Sequence, residues 1–238
     1  MGTQRYLIVN ADDFGLSSGV NQGIIRAFED GIVTSASLMV QHPAAVEAAC
    51  YARRHPDLSV GLHLDLGEWI YHDGAWRLKY QVVPPEDAAL VEREAESQLA
   101  AFRALMESDP THLDSHQHLH LGEPAKTVAT AMAATLGVPL RHCDHAIRYC
   151  GHFYGQTDRG EPWPDGLGVD ALIEVLIGLP SGMTELGCHP GLDHDLDSTY
   201  RAERRHEVET LCDPRVAEAI QSEGMTLISF RAARQVMA

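Results

Sequence analysis

Hydrophobic and polar positions along this chain switch between short aliphatic runs and longer stripes of helical period. Residues 7–9, Leu7-Ile8-Val9, form a run with no polar break, the pattern of a strand covered on both faces. The run stops at Asn10-Ala11-Asp12-Asp13-Phe14-Gly15, where two adjacent carboxylates precede a glycine turn. Ser17 or Ser18 can then cap a helix to about residue 30, with Val20, Ile24, Ala27 and Phe28 as its apolar stripe and Gly31 as its stop. Residues 35–40 predict a second strand. Pro43 opens a second helix that Pro56 ends, and 59–64 (Ser-Val-Gly-Leu-His-Leu) predict a third strand with His63 near its end. This β-α-β-α-β rhythm implies parallel strands joined by right-handed crossovers.

Residues 67–85 break the rhythm. Trp69, Tyr71, Trp76 and Tyr80 lie there between Gly and Pro margins, and the stretch reads as a long loop, either packed by its own aromatics or walling a site. Helical patterns follow at 85–106 and 123–136, with a strand at 111–115 between them and a fifth strand beginning at 138–141. Residues 144–168 form a second aromatic-bearing loop with Tyr149, Phe153, Tyr154 and Trp163. A helix at 169–179, a strand at 184–188, helices at 199–211 and 214–223 and a last strand at 226–230 complete the pattern. No repeat or linker interrupts it, so residues 1–238 read as one α/β domain. About seven strands alternating with helices predict a closed or nearly closed TIM-like β/α barrel, seven-stranded or irregular.

Composition narrows the function. Against 18 Lys and Arg stand 34 Asp and Glu, a formal net charge of −16. Such an acidic chain is a poor partner for nucleic acid or an anionic membrane and suits a neutral or cationic small molecule. Five scattered cysteines without a Cys-x-x-Cys pair argue for free thiols, not a disulfide framework or a thiolate zinc site. With no apolar run of spanning length and no signal-peptide pattern, the expected location is cytoplasmic.

Fourteen histidines decide the rest. In His112-Leu-Asp114-Ser-His116-Gln-His118-Leu-His120 polar groups recur at every second residue, which an extended chain would place on one side. An ordinary core would not bury several imidazoles and a carboxylate, so this face predicts a metal-centred site. Not all can be ligands; Asp114, His118 and His120 are expected to orient the others. Three strand ends then carry candidates: Asp12 with Asp13, His63 and His116. One carboxylate with two neutral imidazoles makes an open site for one divalent cation, zinc best, with magnesium, manganese, cobalt or nickel as alternatives. His189, in Gly187-Cys188-His189-Pro190-Gly191, is a fourth strand-end candidate, a general acid titrating near neutrality. Arg141, at another strand end, is expected on the substrate side, able to pair with whichever of Asp12 or Asp13 is off the metal. Trp69, Tyr71 and Trp163 are expected to contact substrate.

Asn10-Ala-Asp-Asp-Phe-Gly15, Gly61-Leu-His63, Thr111-His-Leu-Asp-Ser-His116-Gln-His-Leu-His120 and Cys188-His-Pro190 resemble the motifs of the YdjC-like carbohydrate deacetylases. The resemblance runs in matching order over nearly the whole chain. It implies a β/α barrel with a metal-dependent N-deacetylase site. Asp13, His63 and His116 take the place of the metal ligands, Asp12 of the base and His189 of the acid. Gln117 stands where some relatives carry another histidine. The partner implied is a small N-acetylated sugar, with a homodimer as the one macromolecular association envisaged. Two other readings fit the same residues: another metal-dependent hydrolase, acting on a different amide or a phosphoester, and a non-catalytic sugar- or metal-binding protein.

Overall fold

Strand β1 (Arg5–Phe14) is the axis of the structure, and its two faces do different work. Leu7, Val9 and Ala11 point outward into the main core beneath the helices. Ile8 points inward and packs with Ile147, Met183, Phe230 and Ala233. Asn10 and Asp12 follow Ile8 on the inner face, at the period of two that a strand dictates. The computed structural model describes residues 4–72, 74–157, 159–192, 195, 198 and 200–237.

Around β1 lie β2 (Ser35–Leu38), β3 (Ser59–Leu64), β6 (Leu113–Ser115), β7 (Ile147–Cys150), β8 (Gly182–Cys188) and β9 (Met225–Leu227), in a parallel seven-stranded sheet of order β6-β3-β2-β1-β8-β7, with β9 on the first residues of β1. Helices α1 (Ser18–Glu29), α2 (Ala45–Arg54), α3 (Ala88–Met106), α4 (Ala125–Leu136), α5 (Val169–Ile177), α6 (Ala202–Leu211) and α7 (Pro214–Ser222) alternate with the strands. The cap of α1 is Ser17, whose hydroxyl accepts from the Val20 amide. The helix expected at 199–211 begins at Ala202, and residue 199 lies outside the described residues. Among the described residues, no helix is long and apolar enough to cross a membrane.

Of the closed or nearly closed barrel expected, seven-stranded or irregular, the structure shows a seven-stranded parallel half-barrel. The fifth strand expected at 138–141 contributes a single bridge, Leu140 to Leu113. The amides of Cys143 and Asp144 both return to the Leu140 carbonyl, and His142 takes a left-handed φ of 63°, so the chain turns away there and does not extend as a strand. Strand β7 forms inside the expected loop 144–168. The loop expected at 67–85 is an antiparallel hairpin of β4 (Gly67–His72) and β5 (Ala75–Gln81). The last strand is only three residues long and is followed by α8 (Phe230–Met237).

Small residues let the sheet curl around its contents. Ser35 and Ser59 accept from the amides of Phe230 and Arg231, which seats α8 under the barrel floor. A Cβ on Gly61 would meet the His112 ring at 2.5 Å, and one on Gly187 would meet the Tyr149 hydroxyl at 2.5 Å. The interior therefore changes along its axis from an apolar plug, through a polar layer of Asn10, Ser37, His112, Asp114, Arg141 and Glu185, to the acids and imidazoles at the strand ends.

Candidate active site

The carboxyl ends of β1, β3 and β6 place Asp13, His63 and His116 side by side. Asp13 sits in the left-handed region at φ 68°, where the strand breaks into the turn before Gly15. Few non-glycine residues adopt this conformation, Asp and Asn most readily, and here the partners of the Asp13 carboxylate hold it in place. Asp13 Oδ1 lies 3.3 Å from His63 Nε2 and 3.1 Å from His116 Nδ1, while Oδ2 accepts from Arg204. His63 Nδ1 is 2.7 Å from Asp114 Oδ1. That carboxylate fixes the ring and directs Nε2 toward Asp13, the arrangement that orients metal-binding imidazoles.

One donor atom from each of Asp13, His63 and His116 lies within 4.8 Å of the others, so the set can close on one cation. The electrostatics fit that occupant. Burial opposes a charge on Asp13, yet Arg204, then His116 and His63, hold its carboxyl well below the usual carboxylate range. Burial also opposes a charge on His63, and Asp114, Asp13 and Asp12 outweigh it, raising its pKa well above that of an ordinary imidazole. The pocket thus calls for positive charge, which a proton or a metal ion can supply. A second grouping of Asp12, His63 and Asp114 satisfies the same distance test. It is the poorer cation site, because Arg141 already pairs with both carboxylates.

Arg141 is buried beneath the site. Its guanidinium grips Asp12 with two parallel hydrogen bonds of 2.6 and 2.7 Å and also reaches Asp114 at 2.9 Å and Glu185 at 2.6 Å. This corrects the substrate-side placement: its donors are spent on buried carboxylates, and it does not line the cavity. Asn10 donates to Asp12 Oδ1 at 2.9 Å, completing the hold on that acid. Burial works against ionisation of Asp12, but Arg141 brings its pKa below the ordinary value. His189 Nε2 lies 3.7 Å from Asp12 Oδ2. Burial pushes the His189 imidazole down to about 4, away from the near-neutral titration expected of it.

The third motif departs from the extended form expected. The strand ends at Ser115, and residues 116–121 form a tight 3₁₀ turn with Gln117 and His118 at φ 50° and 55°. Only His112 and Asp114 share the strand's inner face. His112 is held between Ser37 and Thr111 and stacks on Phe230. His120 is buried, bonded to Ser115 and the Arg141 carbonyl, so it braces the turn. His118 reaches the cavity wall beside His142 and Tyr149.

A cavity of about 750 Å³ opens above the acids. Trp69, Tyr71 and Trp76 of the hairpin form one wall, and Tyr149, Phe153 and Tyr154 line the other side. Trp163 is not part of it; its ring packs over Gly166 and is half exposed.

A sequence model of the YdjC-like proteins matches residues 6–222. The chain belongs to the YdjC-like family. Within it, the chain is 34% identical to a carbohydrate deacetylase of Geobacillus stearothermophilus, over 95% of this chain and 97% of that protein. It is 32% identical to a chitooligosaccharide deacetylase of Serratia marcescens, covering 96% and 99%. A solved Enterococcus faecalis V583 structure, named as a candidate cellobiose-phosphate cleavage protein, superposes with TM-score 0.78 at 25% identity, covering 98% and 99%. A family 4 carbohydrate esterase from Streptomyces lividans shares the fold at TM-score 0.54 and 16% identity, covering 94% and 91%.

This YdjC-like chain also carries site residues that the sequence reading missed, two of them on α6. Arg204 and Glu207 are buried, and Arg204 holds both Asp13 and the His189 carbonyl. Glu207 accepts from the His189 amide and from the Tyr200 hydroxyl, which fixes the turn carrying His189. Burial pushes Glu207 up to about 8. Their trace in the sequence is a helix whose inward stripe of Arg204, Glu207, Val208 and Leu211 includes two charges. Glu185 was missed for a similar reason: it interrupts the apolar run of β8 on the inner face.

Proposed function

We propose that this protein is a metal-dependent carbohydrate deacetylase that hydrolyses the acetamide of an N-acetylated amino sugar or short oligosaccharide, releasing acetate and a free amine. The observation that carries the reading is the convergence of Asp13, His63 and His116 beside the Asp12–His189 pair on the floor of an aromatic-walled cavity. The names of the relatives above support the same chemistry. Asp13, His63 and His116 would hold the divalent cation, zinc or magnesium. When bound, it supplies Lewis-acid polarisation of the acetyl carbonyl and a more acidic water.

The chain's own residues supply proton transfer and position. Asp12 is ionised and aimed by Arg141 and Asn10, so its carboxylate accepts a proton as water attacks the acyl carbon. His189 is neutral at pH 7, and its Nε2 stands 3.7 Å from Asp12 Oδ2, a gap that one bridging water or a small approach closes for transfer of that proton. Among the described residues its Nδ1 has no hydrogen-bond partner, and Glu207 fixes its backbone. As the carbon–nitrogen bond breaks, His189 passes the proton to the departing amine. Trp69, Tyr71 and Trp76 offer flat surfaces for the apolar face of a sugar ring.

The test is a panel assay with acetate detection on the metal-loaded protein: N-acetylglucosamine and its β-1,4 oligomers, an O-acetylated xylooligosaccharide, an N-acetylated peptide and a phosphate monoester. Acetate with an equal yield of free amine is expected from the N-acetyl sugars. Release from the ester, peptide or phosphate substrate alone would assign the site to a different hydrolase.

A further inference from the structure

Gln117 is the residue where the turn bearing His116 meets the hairpin. Its side-chain amide makes two hydrogen bonds to one residue: Oε1 accepts from the Trp69 amide at 2.9 Å, and Nε2 donates to the Trp69 carbonyl at 2.7 Å. Trp69 turns these backbone groups away from β5, along the open edge of β4. A strand edge leaves such groups in search of a partner, and the Gln117 amide stands in for the neighbouring strand.

The attachment matters because the hairpin's outer strand offers no buried face of its own. A two-stranded ribbon is marginal in water by itself. Every described side chain of β5 is exposed apart from the half-buried Tyr80. The ribbon's base is tied through Asp65, which accepts from Tyr80 and from the Gly67 amide. Gln117 ties it further out, where Trp69 and Tyr71 begin the cavity wall. The clip also joins the wall to the residue next to a proposed metal ligand, so it sets the distance between the two.

We infer that Gln117 is a positioning residue that holds the β4–β5 hairpin as the sugar-facing wall, acting on substrate affinity and not on the chemical step. The inference deepens the deacetylase reading, on which only its kinetic arm depends. Side-chain chemistry makes the role specific. With carboxylates ionised, only an Asn or Gln amide offers a donor and an acceptor side by side, and of the two Gln has this reach. An imidazole presents its nitrogens in divergent directions and cannot pair with both groups of one residue.

Two variants test it. Gln117→Asn keeps the amide and tolerates the left-handed backbone but is one methylene too short; Gln117→Ala removes the amide. Hydrogen exchange followed by mass spectrometry on the purified protein should show faster exchange over residues 67–81 in both, with metal content unchanged. With N,N′-diacetylchitobiose as probe, the Michaelis constant should rise roughly tenfold, about 1.4 kcal/mol, at unchanged kcat. Unchanged protection of the hairpin in both variants would overturn the inference, as would loss of the metal or a fall in kcat at constant Michaelis constant. If the wild type does not turn the probe over, the deacetylase reading fails there, and the exchange measurement still decides the clip.

Discussion

Replacing Asp12 with Asn is expected to lower turnover roughly 10²–10⁴-fold, the usual span for loss of a general base, while the protein keeps its cation. The amide cannot take the proton of the attacking water, and the route through His189 then has no source. The fold should survive, because the Asn carbonyl can still accept one hydrogen bond from Arg141 and the remaining guanidinium partners, Asp114 and Glu185, are untouched. Single-turnover acetate release alongside metal analysis reads both quantities. If Asp12→Asn empties the metal site, the two adjacent aspartates have exchanged roles.

Arg141→Met should produce the largest loss of stability in the molecule. One guanidinium holds Asp12, Asp114 and Glu185 within a buried layer. Removing it leaves buried carboxylates without their charge partner, which costs about 3–5 kcal/mol where such pairs have been broken. The loss depends on pH in a defined direction. Asp12 and Asp114 have folded-state pKa values below the ordinary range, against the opposing effect of burial, with Arg141 as the main lowering cause. Their stabilisation is present above the unfolded-state value of about 4 and is lost as the pH falls through the folded values. Glu185 works the other way. Burial raises it to about 7, so it takes up its proton first and gives a stabilisation lost as pH rises from the ordinary carboxylate value to about 7. The gap between wild type and Arg141→Met is therefore widest near pH 7.5 and narrows toward pH 4.5, as the orphaned carboxyls protonate. Urea unfolding at the two values measures it. A difference under about 1 kcal/mol at pH 7.5, the range of an exposed pair, would contradict the buried-hub account.

Much of this site can be read from the sequence because strand ends carry it. Leu7-Ile8-Val9 announces a buried strand, and the acids beyond it must then lie at its carboxyl end; His63 follows from the same logic on β3. Local patterns fail where tertiary contacts decide. Alternation at His112–His120 is the same whether the chain continues extended or breaks after Ser115, and here the bonds of His120 to Ser115 and the Arg141 carbonyl hold a left-handed turn. The hairpin at Gly67–Gln81 has a weak pattern because most of β5 is exposed and no core face marks it. Barrel closure depends on where the chain turns after Leu140, which the short run Val138-Pro139-Leu140 does not specify. Arg204 and Glu207 reach the site from a helix remote in sequence, and only the packing of α6 against α1 and the strand ends brings them there.

The most direct test is the metal content of the purified protein, stripped by chelator and reloaded with zinc or magnesium, beside His63→Ala treated identically. The ring lost in that variant is the one Asp114 directs at Asp13, so two of the three donors remain without the third. The account predicts one tightly held cation per wild-type chain and none retained by His63→Ala after gel filtration, with both proteins folded by circular dichroism. Equal occupancy in the two would contradict a centre built on Asp13, His63 and His116.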